Sequence, residues 1–176
     1  MKLKKGILSI LALSMMSLVV GCEKKYELMS HHFTGPFDTI TTYMSYANNE
    51  EEFNEQCDYI EEQLNYYDQL FDKYNTYNGM NNLKTINDNA GKKAIEVDQA
   101  LIDLLNLSIE RNRKISSKVN IAFGSVINIW HDYREEAESH DGVGTVPSDE
   151  ELEKANQHTS IDSIEIDEKK KTVYIN

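Results

Sequence analysis

The residues of this chain that could do chemistry are few and scattered. His31 and His32 are adjacent, and adjacent histidines point apart, so they make a poor metal site. His131 and Asp132 resemble part of a catalytic pair, but neighbouring residues on a helix do not face each other. The sequence contains no zinc-protease, nucleophile-elbow or phosphate-loop motif beside them. The residue types alone therefore leave the catalytic residues unknown.

Aromatic residues are the better candidates for holding a ligand. The chain has ten tyrosines and one tryptophan, Trp130, whose rings can stack on a planar molecule. Most of them are expected to pack in the core or on the surface. Tyr74 is the exception, because it lies at the end of a predicted long helix, where a side chain can face a cleft.

The first 22 residues are typical of a bacterial lipoprotein export signal. A basic start is followed by an uncharged run over residues 6–20, which is short for a membrane-spanning helix and suits a signal peptide. The run leads to Gly21 and Cys22, which resemble a lipobox. We therefore predict that residues 1–21 are removed and that Cys22 is lipidated.

This signal predicts where the protein works. A lipidated Cys22 would hold the chain by acyl chains on the extracytoplasmic face of a bacterial membrane. Residues 22–32 are expected to form the lipidated N-terminus and a polar tether, and residues 33–176 the folded domain. The alternative is an ordinary secretory signal in which the cysteine is incidental.

Net charge and cysteine content limit which partners and which covalent cross-links are expected. The net charge is −12, and removing the lysine-bearing signal makes the remaining chain more acidic still. Such a chain would be repelled by phosphate backbones, so nucleic acid is not expected as a partner. After Cys22 only Cys57 remains, which excludes an internal disulfide and indicates a thiol used as core filler.

Residue patterns predict an α+β fold. Residues 38–46 are rich in Thr, Tyr and Ile and predict a first strand. Apolar residues then recur at helical spacing and predict one long amphipathic helix. This stripe comprises Phe53, Cys57, Ile60, Leu64, Tyr67, Phe71 and Tyr74.

The rest of the chain predicts shorter elements. A polar loop is expected over residues 75–91, pinned to the body by Leu83 and Ile86. Capping signals and apolar spacing predict three more helices and a C-terminal hairpin. The helices are expected at residues 98–114, after Gly124 with a stripe of Val126, Trp130, Tyr133 and Ala137, and after Ser148; the hairpin is expected at residues 164–166 and 172–175.

The end of the chain predicts that the fold is incomplete. Asn176 directly follows the hairpin, so no later element is present to cover it, and an uncovered hairpin leaves an open edge. We therefore expect these residues to be an incomplete portion of a larger domain.

Three segments, in order, resemble the N-terminal half of the ApbE family of flavin transferases. Phe37-Asp38-Thr39 stands where the family often has Met-Gly-Thr. Residues 70–74 and 82–87 resemble its "Tyr … Ser-x-Leu-x-x-Asn" region. Residues 117–130 resemble its "Gly-Ala-Phe-Asp-x-Thr-Val-Gly-Pro-Leu-Val-x-Leu-Trp" segment, which is the most specific of the three. The resemblance covers about residues 33–176.

The resemblance implies a flavin site. Phe37 takes the place of a methionine that contacts FAD, and Tyr74 takes the place of a flavin-site tyrosine. Lys118, Val119 and Asn120 stand where the family's nucleotide pocket is lined. The chain departs from the family pattern at Ser117 for Gly, Asn120 for Asp and Ser125 for Pro.

The resemblance also implies an activity. Members of the family are FAD:protein FMN transferases, in which a Thr or Ser hydroxyl of a target protein attacks the FMN phosphate of FAD and AMP leaves. The expected partners are therefore FAD and an extracytoplasmic redox protein that carries the acceptor residue. The family's Asp-Leu-Gly and Lys-Gly segment and its Mg²⁺ ligands are expected beyond residue 176, so this portion alone should be inactive. The alternatives are a non-catalytic flavin-binding lipoprotein and a structural lipoprotein.

Overall fold

A computed structural model describes residues 25–176 of the chain. The predicted signal peptide and Cys22 lie outside these described residues. The chain divides into two compact units, unit 1 up to Gln63 and unit 2 from Leu64 to Asn176. None of the helices in the described part combines the length and the hydropathy that a bilayer-spanning segment requires.

Unit 1 begins with an antiparallel hairpin of strands β1 (Glu27–Thr34) and β2 (Ile40–Ala47). The strand predicted at residues 38–46 is confirmed as β2. The tether predicted for residues 22–32 is wrong from Glu27 onward, because those residues belong to β1. The polar residues of β1 hide its strand character, which comes from pairing with β2 along the full length of both strands.

The long helix is confirmed as α1 (Glu50–Phe71), but it ends before Tyr74, which the predicted stripe included. Asn49 caps its start, since the Asn49 Oδ1 atom accepts a hydrogen bond from the Glu52 backbone N–H at 2.8 Å. In unit 1, Phe53 and Cys57 are buried, and the ring of Phe53 stacks on Tyr43 of β2 at 5.8 Å between centroids. Alternate residues of the hairpin therefore face α1.

Unit 2 contains a helix where the sequence predicted a loop. α2 (Leu83–Asp88) interrupts the polar segment of residues 75–91. It has six residues, too few to show helical periodicity, and it forms because Asn82 and Thr85 make a capping box at its start. The prediction that Ile86 pins this segment to the body is confirmed, because Ile86 is buried in the core.

The core of unit 2 lies between helix α3 and a small sheet. α3 (Gln99–Lys114) begins at its predicted cap, Asp98, and buries Leu101, Ile102 and Leu105. The sheet has the strand order β3-β5-β4, all antiparallel. Its strands are β3 (Ile95–Glu96), β4 (Ile164–Asp167) and β5 (Thr172–Ile175).

This sheet confirms the C-terminal hairpin and corrects one expectation about it. The hairpin strands are β4 and β5, as predicted, but the hairpin is not left uncovered. β3 pairs with β5, and Val173 of β5 is buried in the same cluster as Leu101 and Ile102. The sequence missed β3 because two residues are too short to give a strand pattern.

Helices α4 (Gly124–Ser139) and α5 (Asp149–Asn156) complete unit 2. The predicted capping box of α5 is confirmed, with Ser148 and Glu151 bonded reciprocally. The predicted apolar stripe of α4 is buried only in part, since Val126 is buried but Trp130 is 48% exposed. Helices and small antiparallel sheets together confirm the α+β class.

Candidate functional site

The candidate site is a cavity of about 760 Å³ within unit 2. Its volume lies in the range of about 300–1,000 Å³ that is usual for small-molecule sites. Side chains from α2, α3 and the sheet give it an apolar floor. The floor residues are Leu83, Ile86, Leu105, Ile164, Val173 and Ile175. A smaller cavity, of about 340 Å³ beside Tyr66 and Met80, contains none of the predicted site residues.

Tyr74 lines this cavity, as its predicted role requires. It follows the end of α1 and is exposed, so its ring is open to a ligand. The ring lies 6.0 Å from that of His131 on α4, and the Lys73 Nζ atom lies 4.7 Å from its centroid. His131 is in turn 2.9 Å from Glu135, measured from Nε2 to Oε1. The tyrosine is thus placed among polar groups at one wall of the cavity.

A carboxylate holds the turn on which Tyr74 lies. The Asp72 side chain accepts hydrogen bonds from the Tyr74 backbone N–H at 2.6 Å, from Asn75 Nδ2 at 2.9 Å and from Tyr77 Oη at 2.8 Å. Burial by itself would raise the pKa of this carboxyl, but the donated hydrogen bonds outweigh burial and hold the pKa below its usual value. Asp72 is therefore ionised and fixes the backbone at Tyr74.

Asn82 ties the same segment to the body of unit 2. Its side chain is fully buried and donates to the carbonyl oxygens of Gln69, at 2.9 Å, and Asn75, at 2.8 Å. Its Oδ1 atom accepts from the backbone N–H of Thr85 at 3.1 Å. One asparagine thus joins the end of α1, the turn after Tyr74 and the start of α2. Sequence reasoning quoted Asn82 for its resemblance and missed this positioning role.

The most specific of the matched segments also lines the cavity. Ile121, Ala122, Gly124, Ser125 and Asn128 border it. Gly124 and Ser125 begin α4, and the residue before them, Phe123, provides no side-chain cap. The first N–H groups of a helix attract anions, so this end of α4 can face a phosphate group in the cavity.

Lys118, Val119 and Asn120 lie outside the cavity lining. Lys118 and Val119 are exposed. The Asn120 side chain is engaged within unit 2: its Nδ2 atom donates to the Thr159 carbonyl at 2.8 Å, and its Oδ1 atom accepts from the Ala122 N–H at 2.9 Å. Asn120 therefore caps the short helix Ile121–Phe123, and its expected contact with a nucleotide stays a prediction.

A second buried asparagine supports that loop. Asn112 on α3 donates to the carbonyl oxygens of Ser117, at 3.2 Å, and Val119, at 2.8 Å. Sequence analysis did not identify it, because an asparagine on a helix gives no sign of bonding to a later loop. The only sequence signal is its polar character at a position of α3 that faces inward.

Phe37 belongs to unit 1, in the turn between β1 and β2. Its backbone has φ 57°, a left-handed conformation that is unusual for an aromatic residue. The turn is closed by the Asp38 N–H, which donates to the Gly35 carbonyl at 2.9 Å. The exposed ring is thus presented at the tip of the hairpin, where the resemblance expects a flavin contact.

Charged groups at the cavity include two cations. Lys73 and Lys84 both line it, and Lys84 is paired with Asp88 on α2. Cations beside an apolar floor suit a ligand with a planar ring and phosphates. Among residues 25–176, no group of three or more His, Cys, Asp or Glu side chains is arranged to hold a metal ion.

Comparisons with known proteins bear on the family and the fold. No significant match is found among curated proteins. Among solved structures, the crystal structure of the ApbE protein from Thermotoga maritima matches with a TM-score of 0.63 at 19% sequence identity. The match covers 86% of this chain and 45% of that chain, so the present chain spans less than half of that protein's length. At this identity the likeness shows the fold alone.

The family comparison is more informative. The model of the ApbE family matches residues 37–176, which include the cavity and every predicted flavin-site residue. The chain therefore belongs to the ApbE family, a flavin-transferase-type family in which FAD is the flavin donor.

Proposed function

We propose that these residues are the N-terminal portion of an FAD:protein FMN transferase. In this reaction a Thr or Ser hydroxyl of the target attacks the FMN phosphorus of FAD. A new phosphorus–oxygen bond forms, the bond to the AMP phosphate breaks, and the hydroxyl proton is lost. The product is a target protein with covalently attached FMN, together with free AMP.

One observation carries the proposal: two of the three segments that carry the family resemblance, although distant in sequence, border a single cavity. Tyr74, the α2 residues Leu83 to Asn87 and the segment Ile121 to Asn128 contribute side chains or backbone to its wall. These segments come from three parts of the chain, so their meeting at one cavity is a property of the fold. A shared ligand explains why they converge.

The cavity residues support binding and orientation of a flavin nucleotide. The exposed Tyr74 ring can stack on a planar base or flavin, an interaction worth about 1–3 kcal/mol per base in nucleic-acid sites. Lys73 and Lys84 can offset phosphate charge, and the backbone N–H groups at the uncapped start of α4 can donate to a phosphate oxygen. The apolar floor excludes water from the rest of the ligand.

The proposal also includes the expected Mg²⁺ ligands and the expected location of the protein. Because the described residues offer no metal-binding group, we propose that the Mg²⁺ ligands lie beyond residue 176. We further propose that Cys22 is lipidated and that the target is a redox protein on the same extracytoplasmic face. The acidic chain is not expected to bind nucleic acid.

FAD titration tests the binding part of the proposal. We expect the protein without its first 22 residues to quench flavin fluorescence, and Tyr74→Ala to weaken binding by about tenfold through lost stacking. Tyr59→Ala is the matched control, because Tyr59 is an exposed tyrosine of α1 outside the cavity. Equal affinities for the Tyr74 and Tyr59 variants would show that the flavin does not bind at this cavity.

A transfer assay tests the catalytic part. The 176-residue chain, incubated with FAD, Mg²⁺ and a threonine-containing target, is expected to attach little or no FMN. Attachment is read as covalent flavin fluorescence on the target and as a mass increase. Robust transfer by this chain alone would contradict the expectation that residues beyond 176 are required. Tight flavin binding by a longer, complete protein without any transfer would favour the non-catalytic flavin-binding alternative.

A further inference from the structure

The β1–β2 hairpin of unit 1 has two unlike faces. One face packs on α1, where Phe33 and Ala47 are buried and Tyr43 stacks on Phe53. Side chains alternate along a strand, so the intervening residues form an opposite face. We call it the outward face; its strand residues are Leu28, Ser30, His32, Thr34, Ile40, Thr42, Met44 and Tyr46.

Large apolar side chains of the outward face are exposed. Leu28 is paired with Tyr46 across the two strands. The next pair on the same face is Ser30 with Met44. The exposed fractions of Leu28, Met44 and Tyr46 are 53%, 58% and 65%. Tyr26, just before β1, is 54% exposed. These residues gather at the end of the hairpin where the chain enters it, and such a patch marks an interaction surface.

The outward face also differs from the rest of the chain in charge. The chain has 30 Asp and Glu residues, yet none of the described outward positions from Leu28 to Tyr46 carries one. His32, which can carry a positive charge, is hydrogen-bonded to Thr42 Oγ1 at 2.9 Å. An acidic protein is repelled by an anionic lipid surface, but this face lacks the groups that cause repulsion.

The proposed anchor lies close to the same end of the hairpin. Five residue steps separate Cys22 from Glu27, the first residue of β1, and an extended chain covers at most about 17 Å over that distance. Acyl chains on Cys22 would therefore keep the outward face within reach of the lipid headgroups. Tyrosine is enriched at membrane–water interfaces, where its ring meets lipid and its hydroxyl meets water.

We propose that the outward face of the β1–β2 hairpin lies in the interface of the membrane that holds the lipidated Cys22. This inference rests on the proposed lipidation. It assigns the hairpin a second contact with the bilayer beside the acyl chains, through Leu28, Met44 and Tyr46, with Tyr26 next to them. The contact restrains the orientation of unit 1 at the membrane.

An environment-sensitive fluorophore on single introduced cysteines tests the contact. The full-length acylated protein is placed in vesicles of phosphatidylcholine and phosphatidylglycerol, with the probe at Met44→Cys on the outward face. Glu55→Cys, exposed on α1, is the matched control. Cys57 is common to both proteins, and burial, followed by the nearby Asp58 charge, raises the pKa of its thiol, so labelling of Cys57 is slow.

We expect a blue-shifted emission at position 44 that is quenched by lipids carrying nitroxide groups on their acyl chains, and an unshifted emission at position 55. Equal, water-like emission at both positions would overturn the proposal. A shift at position 44 without quenching by lipid would also overturn it, because residues beyond 176, a second copy of the chain or another protein would then cover the face.

A charge placed on the face provides a second measurement. Leu28→Glu, in the protein labelled at position 44, is expected to remove most of the lipid quenching, because a carboxylate in the interface is costly. Asn54→Glu, on the exposed side of α1, adds the same charge elsewhere in unit 1 and should leave the quenching unchanged. Unchanged quenching in Leu28→Glu would contradict the proposed contact.

Mass spectrometry of the N-terminal peptide separates the two proposals. An acylated Cys22 with water-like probe emission would leave the lipidation in place and refute the contact of the outward face. An unacylated Cys22 in protein from a lipoprotein-exporting host would refute the lipidation, and the inference that rests on it would fail as well.

Discussion

Two loops of unit 2 carry predicted flavin-site residues, and each is held by a buried asparagine. The Tyr74 loop comprises residues 72–82, and Asn82 bonds to the carbonyl oxygens of Gln69 and Asn75. The Lys118 loop comprises residues 115–120, and Asn112 bonds to the carbonyl oxygens of Ser117 and Val119. In both loops a side-chain amide donates to backbone carbonyl oxygens that have no helix or strand partner.

The two loops differ in the groups that hold the backbone of the candidate residue. The Tyr74 loop is held at its start by the ionised Asp72 and at its end by Asn82, so the backbone of Tyr74 is restrained from both sides. The Lys118 loop is held by Asn112 from α3 and, at its end, by the bond from Asn120 to the Thr159 carbonyl, while the Lys118 backbone N–H donates to a neutral hydroxyl, Ser116 Oγ, at 3.3 Å. Lys118 and Val119 themselves are exposed.

Tyr74 and Lys118 therefore differ as candidate contacts for a ligand. Tyr74 lines the cavity and lies on backbone that is fixed before any ligand arrives, which lowers the ordering cost of binding. Lys118 and Val119 lie outside the cavity lining, and the Lys118 N–H is bonded to a hydroxyl and not to a carboxylate. The comparison therefore favours Tyr74 as a contact that is in place before a ligand binds. The exposed Lys118 side chain would have to become ordered when a ligand binds.

The largest effect is expected from Asn82→Ala. The change removes the cap of α2 and leaves the carbonyl oxygens of Gln69 and Asn75 without their donor. We expect the free energy of unfolding to fall by about 3 kcal/mol, measured by urea denaturation. Asn81→Ala is the matched control, since the exposed Asn81 makes a single bond to the Glu96 carbonyl. Similar losses for both variants would show that Asn82 has no special anchoring role.

A smaller loss is expected from Asn112→Ala. Two carbonyl oxygens of the Lys118 loop lose their donor, but the loop lies closer to solvent, so water can replace part of the bonding. We expect a loss of about 2 kcal/mol and faster hydrogen exchange of amides in residues 115–120. Asn106→Ala, which removes an exposed bond to Glu168, should change stability by less than about 0.5 kcal/mol. A loss as large as that of Asn82→Ala would remove the difference between the loops.

The sequence predicted the parts of this fold that have local signals. α1, α3 and α4 follow from apolar spacing, and α5 follows from the capping box at Ser148. β1 was missed because its polar residues, among them the two histidines, do not alternate with apolar ones as in a typical half-buried strand. α2 was missed because its stability comes from Asn82 bonds to residues elsewhere in the fold.

Apart from Tyr74, the candidate site was predictable only through the resemblance. Tyr74 was identified from its position at the helix end, and the cavity confirms that it borders an open space. The residues that fix it, Asp72 and Asn82, gave no signal of this role, because hydrogen bonds across a loop leave no periodic pattern. Convergence of the matched segments at one cavity is likewise a property of packing that no single segment encodes.

The smallest effect is expected from Asp72→Asn, and the informative measurement is how this effect changes with pH. Asp72 is partly exposed, so water screens and partly replaces its bonds. Its pKa is lowered in the folded protein, so its stabilisation is fully present above the unfolded pKa of about 3.9. It is lost as the pH falls through the lower folded pKa. The difference in unfolding free energy between wild type and variant should therefore shrink from neutral to acidic pH.

Urea unfolding at a series of pH values measures this difference, with Asp132→Asn, exposed on α4, as the control for a changed surface charge. A wild-type advantage that stays constant from neutral to acidic pH would mean that the bonds from Tyr74, Asn75 and Tyr77 do not favour the ionised carboxyl. The Tyr74 loop would then be held mainly by the neutral amide of Asn82, as the Lys118 loop is held by the neutral amides of Asn112 and Asn120. In that case preorganisation would no longer distinguish Tyr74 from Lys118, and the choice between them would rest on the cavity lining.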